Sequence, residues 1–228
     1  MNIYNPAEFV MSAINDFPDP RTADIIDDVI AVGGDIDGPN LKESYRLGIF
    51  PWPHEGYPLL WFCPDERGVL FFDDLHVSRS LKKWIKQNES QITVTVNKDF
   101  DSVIRECQKQ QRPGQKGSWI TGDIIRAYTD LFRMGGVISL ECWMDGELIS
   151  GIYGVLSDNY FSCESMFFKK SNASKYAFVK LVEYLKNQHQ MNWMDLQMVT
   201  DVSESFGGRY ILREEFIELI DSKIQILK

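Results

Sequence analysis

Long apolar runs are missing from this sequence. No stretch approaches the roughly eighteen consecutive apolar residues of a membrane-spanning helix, and Met1-Asn2-Ile3-Tyr4-Asn5-Pro6 has neither the basic start nor the apolar stretch of a secretory signal. The expectation is a cytoplasmic protein without membrane association. Histidine and cysteine are scarce. The three histidines, His54, His76 and His189, lie too far apart in sequence for metal-ligand spacing, and the four cysteines, Cys63, Cys107, Cys142 and Cys163, form no C-x-x-C pair. Neither a disulfide framework nor a zinc ribbon is suggested, so the cysteines read as buried thiols and no metal is implied. Positive charge is in deficit too, with 24 Lys and Arg against 33 Asp and Glu, a net charge of -9. Broad affinity for nucleic acid needs cations to neutralise phosphates, so it is not expected. Local patches remain. Arg79, Lys82, Lys83 and Lys86 fall largely on one helix side, and Arg105, Lys109, Arg112 and Lys116 make a second group; each alone reads as a solvated helix face.

What is present suits a folded core. Hydrophobic residues are 44% of the chain and aromatics 13%, enough for one large domain or for a small and a medium one. Residues 1 to about 62 are irregular and rich in Pro and Gly, and are expected to form a small N-terminal α/β domain. Its one clear helix is expected to be capped by Asn40, with Glu43 completing a capping box and Gly48 as the stop. The aromatic, proline-punctuated runs Ile49-Phe50-Pro51-Trp52 and Pro58-Leu59-Leu60-Trp61-Phe62 read as a packing seam or a pocket wall.

Residues 63 to 228 are more orderly and are expected to form the catalytic domain. Ser78 heads an amphipathic helix, Ile92 to Val96 alternate as a strand, and two further helices carry Phe100 to Cys107 and Ile124 to Phe132, separated by a polar loop from Gln110 to Ser118. Asp145-Gly146 joins two strands as a hairpin. A strand holding Glu164, a helix from about Asn172 to Gln188 and a strand from Trp193 to Gln197 then predict a parallel pair, whose C-terminal ends form a ligand crevice.

Two of these strands carry polar groups where a core strand should have none. Alternation puts Ser162 and Glu164 on one face of Tyr160-Phe161-Ser162-Cys163-Glu164-Ser165-Met166-Phe167-Phe168, and Asp195 and Gln197 on one face of Trp193-Met194-Asp195-Leu196-Gln197. A carboxylate withdrawn from water needs good hydrogen bonds or an opposite charge. Taken alone, the pattern fits a structural polar network as well as it fits a reactive site.

The order of helices, hairpin and crossover resembles the acyltransferase fold of the GNAT superfamily. The expected fold class is therefore α+β, a GNAT-like acyltransferase domain with the small N-terminal domain beside it. CoA-dependent members of that superfamily hold pyrophosphate on a glycine-rich turn at a helix N-terminus. Here the turn, Phe168-Lys169-Lys170-Ser171-Asn172-Ala173-Ser174-Lys175, has no glycine, which argues against acetyl-CoA as donor. A longer set of ordered motifs resembles bacterial leucyl/phenylalanyl-tRNA-protein transferases. It includes Gly33-Gly34-Asp35, Tyr45, Gly48-Ile49-Phe50-Pro51-Trp52, Trp61, Pro64-Asp65 with Arg67, Ser78-Arg79-Ser80, Trp119-Ile120-Thr121, Tyr128, Glu164-Ser165-Met166-Phe167, Asn172-Ala173-Ser174-Lys175, and Asp195 with Gln197, and runs from about residue 30 to residue 212.

The resemblance implies an aminoacyltransferase that moves Leu or Phe, and Met through the same size-selective pocket, from aminoacyl-tRNA to the N-terminal α-amino group of an acceptor protein. The acceptor begins with Arg or Lys, and the product enters the N-degron pathway. The resemblance also implies a substrate pocket of Tyr45, Trp52, Trp119, Tyr128, Phe161, Met166 and Phe167, tRNA contacts at Arg79, Lys82, Lys83 and Lys175, and a catalytic set of Asp195, Gln197 and Glu164. In the family's proposed relay, the aspartate matching Asp195 polarises the glutamine matching Gln197. A neutral amide is a poor base, so Gln197 is read here as orienting the amine while the proton leaves through Asp195, water or the ribose hydroxyl. Glu164 is read as an anchor for the aminoacyl amino group or the ribose, or for a cationic acceptor.

Aminoacyl-tRNA is already an activated ester, so the enzyme has only to orient an amine and stabilise an oxyanion, and no cofactor is expected. A monomer is the expected form. The chain departs from the family pattern at Met198-Val199-Thr200-Asp201, where relatives commonly have Asn-Asp-His, so the loop beside the site is expected to differ in shape.

Overall fold

The computed structural model describes residues 17–111 and 117–222. The N-terminal run from Met1 to Pro6, and Arg112 and Lys116 of the polar loop, lie outside the described residues. Val29–Val32 (β1), Phe50–Pro51 (β2) and Leu60–Phe62 (β3) form a small antiparallel sheet in the order β1-β3-β2. The first helix, Gly38–Arg46 (α1), begins earlier than the sequence suggested. Its N-cap is Asp37, whose carboxylate accepts the Asn40 backbone N–H at 2.8 Å, and Pro39 occupies the first turn, where a missing N–H leaves nothing unsatisfied. Asn40 therefore lies inside the helix, and Glu43 pairs with Arg46 instead of reaching back to the cap. Gly48 does turn the chain after α1, with φ of +78°, and a Cβ there would stand 2.7 Å from the Phe216 ring.

The larger sheet contains Glu66–Phe71 (β4), Thr93–Val96 (β5), Val137–Met144 (β6), Glu147–Leu156 (β7), Phe161–Phe168 (β8), Trp193–Gln197 (β9) and Arg209–Leu212 (β10). Its order is β10-β4-β9-β8-β7-β6-β5. Every neighbouring pair is antiparallel except β8 and β9, which are parallel and registered at Ser162↔Asp195. The expected hairpin is present, with Asp145 and Gly146 both at positive φ between β6 and β7. Between β7 and β8 the register slips. Tyr153 pairs with Ser165 and Gly154 with Cys163, so Glu164 is an extra residue in its strand. Such a β-bulge re-aims the side chain it carries.

Helices cover both faces. Arg79–Asn88 (α2), capped by Ser78, and Ala173–His189 (α5) pack over one face through a core that includes Leu81, Phe161, Tyr176 and Leu181. Phe100–Lys109 (α3) and Gly122–Arg133 (α4) pack over the other, where Val103, Ile124, Tyr128, Tyr153 and Phe167 share one apolar cluster with Leu41 and Tyr45 of α1 and Trp61 of β3. Two short helices follow β9, Asp201–Ser205 (α6) and Arg213–Asp221 (α7). The mixed α/β architecture thus places β8 and β9 at mid-sheet, against the face where the small sheet and α1 join the core. Of the four cysteines, Cys63, Cys107 and Cys142 are buried and Cys163 is partly buried. Among the described residues, no helix is long and apolar enough to cross a membrane.

Candidate active site

Strand parity brings Ser162 and Asp195 together across the parallel pair, and what surrounds Asp195 is charge. Its two carboxylate oxygens accept from Arg67 Nε at 2.8 Å and Arg67 Nη2 at 2.7 Å, a two-point ion pair. The Ser162 hydroxyl donates to it at 2.6 Å and the Gln197 backbone N–H at 2.8 Å. Arg67, on β4, is 1% exposed and Asp195 is 0% exposed. The guanidinium is sandwiched by the rings of Phe50 and Phe216, 4.6 and 4.5 Å from its carbon, and also donates to the Gly48 carbonyl. Burial works against the charged form of Arg67, and Asp195 more than offsets it, so the guanidinium stays charged.

Gln197 closes β9 in a left-handed conformation, φ +61°, uncommon for a residue with a side chain. This backbone turn lets its N–H reach Asp195 while its side chain goes elsewhere. The amide Nε2 donates to Glu164 Oε1 at 2.7 Å. The other Glu164 oxygen accepts from the Tyr128 hydroxyl at 3.0 Å, and Tyr128 is in turn 2.6 Å from the Tyr45 hydroxyl. Burial pushes the Glu164 carboxyl up to about 7, while hydrogen bonds from Tyr45, Tyr128 and Gln197 pull the other way. Burial, then the nearby Glu164 charge, holds both phenols well above their usual range, so they act as donors to the carboxylate.

A cavity of about 190 Å³ opens over this pair, lined by Phe50, Trp52, Trp119, Glu164, Gln197 and Met198 among others. Drug-sized ligands occupy roughly 300–1,000 Å³, so this hollow has room for only one end of such a molecule. Aromatic walls and a carboxylate–amide floor let it hold an apolar group and position a polar one. A larger hollow of about 490 Å³ lies beside α1, lined by Lys42, Arg46, Met134 and Asp158, and none of the catalytic set lines it.

The expected site residues are placed unevenly. Glu164, Gln197, Trp52 and Trp119 meet at the cavity, and Asp195 lies directly beneath. Tyr128 and Tyr45 stand behind Glu164, fully buried, as hydrogen-bonding support and not as walls. Phe167 is buried in the same apolar cluster, against Gly151 and Val103. Phe161 and Met166 do not join them. They belong to the core under α2 and α5, on the opposite face of β8, because Phe161 alternates with Ser162 and the bulge at Glu164 sends Met166 the same way as Phe161. Arg79, Lys82 and Lys83 are exposed along α2, and Lys175 is partly exposed in the first turn of α5.

No motif in the sequence gives a task to Arg67, the one buried cation of this arrangement among the described residues, nor to Phe50, which both packs on it and lines the cavity. The available clue was a lone arginine heading the apolar run Val69-Leu70-Phe71. A buried cation demands a partner, and Asp195 was the unpaired candidate.

Comparison with known proteins places these residues in a wider set. Residues 69–221 match the family model described as leucyl/phenylalanyl-tRNA protein transferase, and residues 34–65 match the model of that family's N-terminal domain. The chain is 45% identical over 207 residues to a protein of Flavobacterium johnsoniae named leucyl/phenylalanyl-tRNA--protein transferase, an alignment spanning 91% of this chain and 96% of that one. Proteins of the same name from Maridesulfovibrio salexigens and Pectobacterium carotovorum are each 42% identical, over 92% and 89% of this chain and 86% and 84% of theirs.

Proposed function

The chain belongs to the leucyl/phenylalanyl-tRNA protein transferase family, and from that premise we propose that it transfers Leu, Phe and Met from aminoacyl-tRNA to the α-amino group of proteins beginning with Arg or Lys. Aminoacyl transfer from tRNA to protein is the family's reaction. The choice of acceptor, entry of the product into N-degron degradation, a cytoplasmic location and a monomeric form are our reading.

One observation carries it: the aromatic cavity whose floor is the Glu164–Gln197 hydrogen bond of 2.7 Å. An apolar hollow of this size suits one aminoacyl side chain and selects by bulk. Trp52 and Trp119 both line this cavity and in this reading flank the terminal adenosine, with stacking worth about 1–3 kcal/mol per base. Gln197 offers its remaining carbonyl oxygen to the incoming amine. The exposed cations Arg79, Lys82 and Lys83, with Lys175, supply phosphate contacts on a chain that is otherwise acidic.

The central parallel pair β8–β9, with α5 crossing between, supports the GNAT-like reading of the larger sheet. The separate small sheet supports a division near residues 62 and 63, although its residues pack into the same core. The test is transfer of labelled leucine from charged tRNA to peptides differing only in their first residue. Label on Arg- and Lys-initiated peptides is expected, and transfer independent of the first residue removes the acceptor assignment.

A further inference from the structure

We propose that Glu164, not Asp195, takes the proton from the attacking amine, and that Arg67 is a positioning residue that reserves Asp195 for holding Gln197; this rests on the aminoacyl-transfer reading above. A carboxylate has about four in-plane acceptor positions. On Asp195 all are taken, by Arg67 Nε, Arg67 Nη2, the Ser162 hydroxyl and the Gln197 backbone N–H. Asp195 is 0% exposed and does not line the cavity. Its direct bond to Gln197 goes to the backbone, and it reaches the amide side chain only through Ser162, whose hydroxyl lies a long 3.5 Å from Gln197 Nε2. Arg67 cannot release it, being fixed by Gly48 and by two aromatic rings.

Glu164 has the opposite properties. It lines the cavity; Oε2 accepts from Tyr128 at 3.0 Å with Tyr45 alongside, and Oε1 accepts from the Gln197 amide at 2.7 Å and lies 3.3 Å from the Ser162 hydroxyl. The one Ser162 proton is already given to Asp195 at 2.6 Å, which leaves Oε1 an acceptor position. The titratable and charged groups facing it are Tyr45 of α1, Tyr128 of α4, Asp195 of β9 with Arg67 of β4 behind, Tyr160, and Cys163 of β8 itself. Its carboxyl is lifted by burial to about 7, which suits both taking and returning a proton near neutral pH.

The lone pair of the neutral amine forms a bond to the ester carbonyl carbon, whose π electrons move to oxygen. One N–H proton passes to the Glu164 carboxylate. Collapse of the tetrahedral oxyanion breaks the bond to the adenosine ribose oxygen, and Glu164 delivers the proton to that oxygen. The products are a peptide bond and tRNA with a free ribose hydroxyl, and Glu164 is a carboxylate again. The phenols of Tyr128 and Tyr45 stabilise that carboxylate between turnovers.

The experiment is single-turnover transfer of labelled leucine from charged tRNA to an Arg-initiated peptide, from pH 5.5 to 9. The unaltered chain should show two acid limbs, the acceptor amine's own at about 7.7–8 and one near pH 7. Glu164→Gln should lose the limb near pH 7, keep the amine's, and slow by about 100-fold or more, with an unchanged urea midpoint near pH 5 as a check of folding. In Glu164→Ala, small carboxylates should restore transfer, more strongly as their pKa rises from chloroacetate to formate to acetate. Arg67→Lys, which cannot reproduce a two-point contact, should slow transfer and keep the limb near pH 7 in place. Transfer within threefold of the unaltered chain in Glu164→Gln, or rescue of Glu164→Ala that is absent or indifferent to carboxylate pKa, overturns the assignment. A limb near pH 7 that disappears in Arg67→Lys returns the proton to Asp195. No transfer by the unaltered chain itself overturns the aminoacyl-transfer reading, a distinct result.

Discussion

Arg67 and Asp195 meet through two hydrogen bonds of 2.8 and 2.7 Å in a place where neither side chain is more than 1% exposed. Removing one member of such a pair strands the other without water, at about 3–5 kcal/mol. Arg67→Met should therefore lower the urea midpoint sharply, and Arg67→Met with Asp195→Leu should recover most of it. The double variant should still be inactive, because Gln197 no longer has the carboxylate that holds its backbone. An additive double variant would show that the pair is not coupled.

The raised carboxyl of Glu164 has a cost that depends on pH. Its ordinary value is 4.5 and its folded value about 7, so between those values the folded protein binds more protons than the unfolded chain. The contribution is complete below about 4.5 and is lost as pH rises through 7. Glu164→Gln, which cannot ionise, should be stabilised relative to the unaltered chain at pH 8 by on the order of 1–3 kcal/mol, allowing for partial exposure. The two should converge near pH 5. Urea titrations at the two pH values check this, and a gap of equal size at both would count against a buried, neutral-leaning Glu164.

Trp119→Ala should weaken inhibition by puromycin, an aminoacyl-adenosine mimic, by about 5- to 150-fold, the equivalent of about 1–3 kcal/mol of stacking. Unchanged inhibition would remove Trp119 from the adenosine site.

Substituting Arg79, Lys82 and Lys83 together by alanine should raise the KM for charged tRNA. It should also flatten the dependence of log affinity on log salt by roughly 0.7–0.9 for each phosphate that is no longer neutralised. A salt slope identical to that of the unaltered chain would assign these cations to solvent.

Much of the fold was legible because its marks are local. Asp145-Gly146 made a hairpin, Ser78 capped α2, and the run of strand, helix and strand gave the parallel β8–β9 pair. The cap of α1 misled, since Asn40 and Glu43 match a capping box while Asp37 and Pro39 satisfy the helix start better. Period-two alternation correctly put Ser162 and Glu164 on a shared side. Carried one residue further, the same alternation sets Phe161 apart from them, as the structure does. Two features lay beyond any local pattern. The Arg67–Asp195 pairing joins residues 128 positions apart, and the separation of Asp195 from the Gln197 side chain depends on one left-handed backbone angle.

The extra residue in β8 ties chemistry to chain length. A deletion between Phe161 and Glu164 would bring β7 and β8 back into step, and at the same stroke turn Ser162 away from Asp195 or Glu164 away from Gln197. Point substitutions disturb one interaction at a time, whereas a change of a single residue in count would rephase the whole reactive floor. Insertions and deletions should accordingly be tolerated least in this strand, even where they leave every named side chain present.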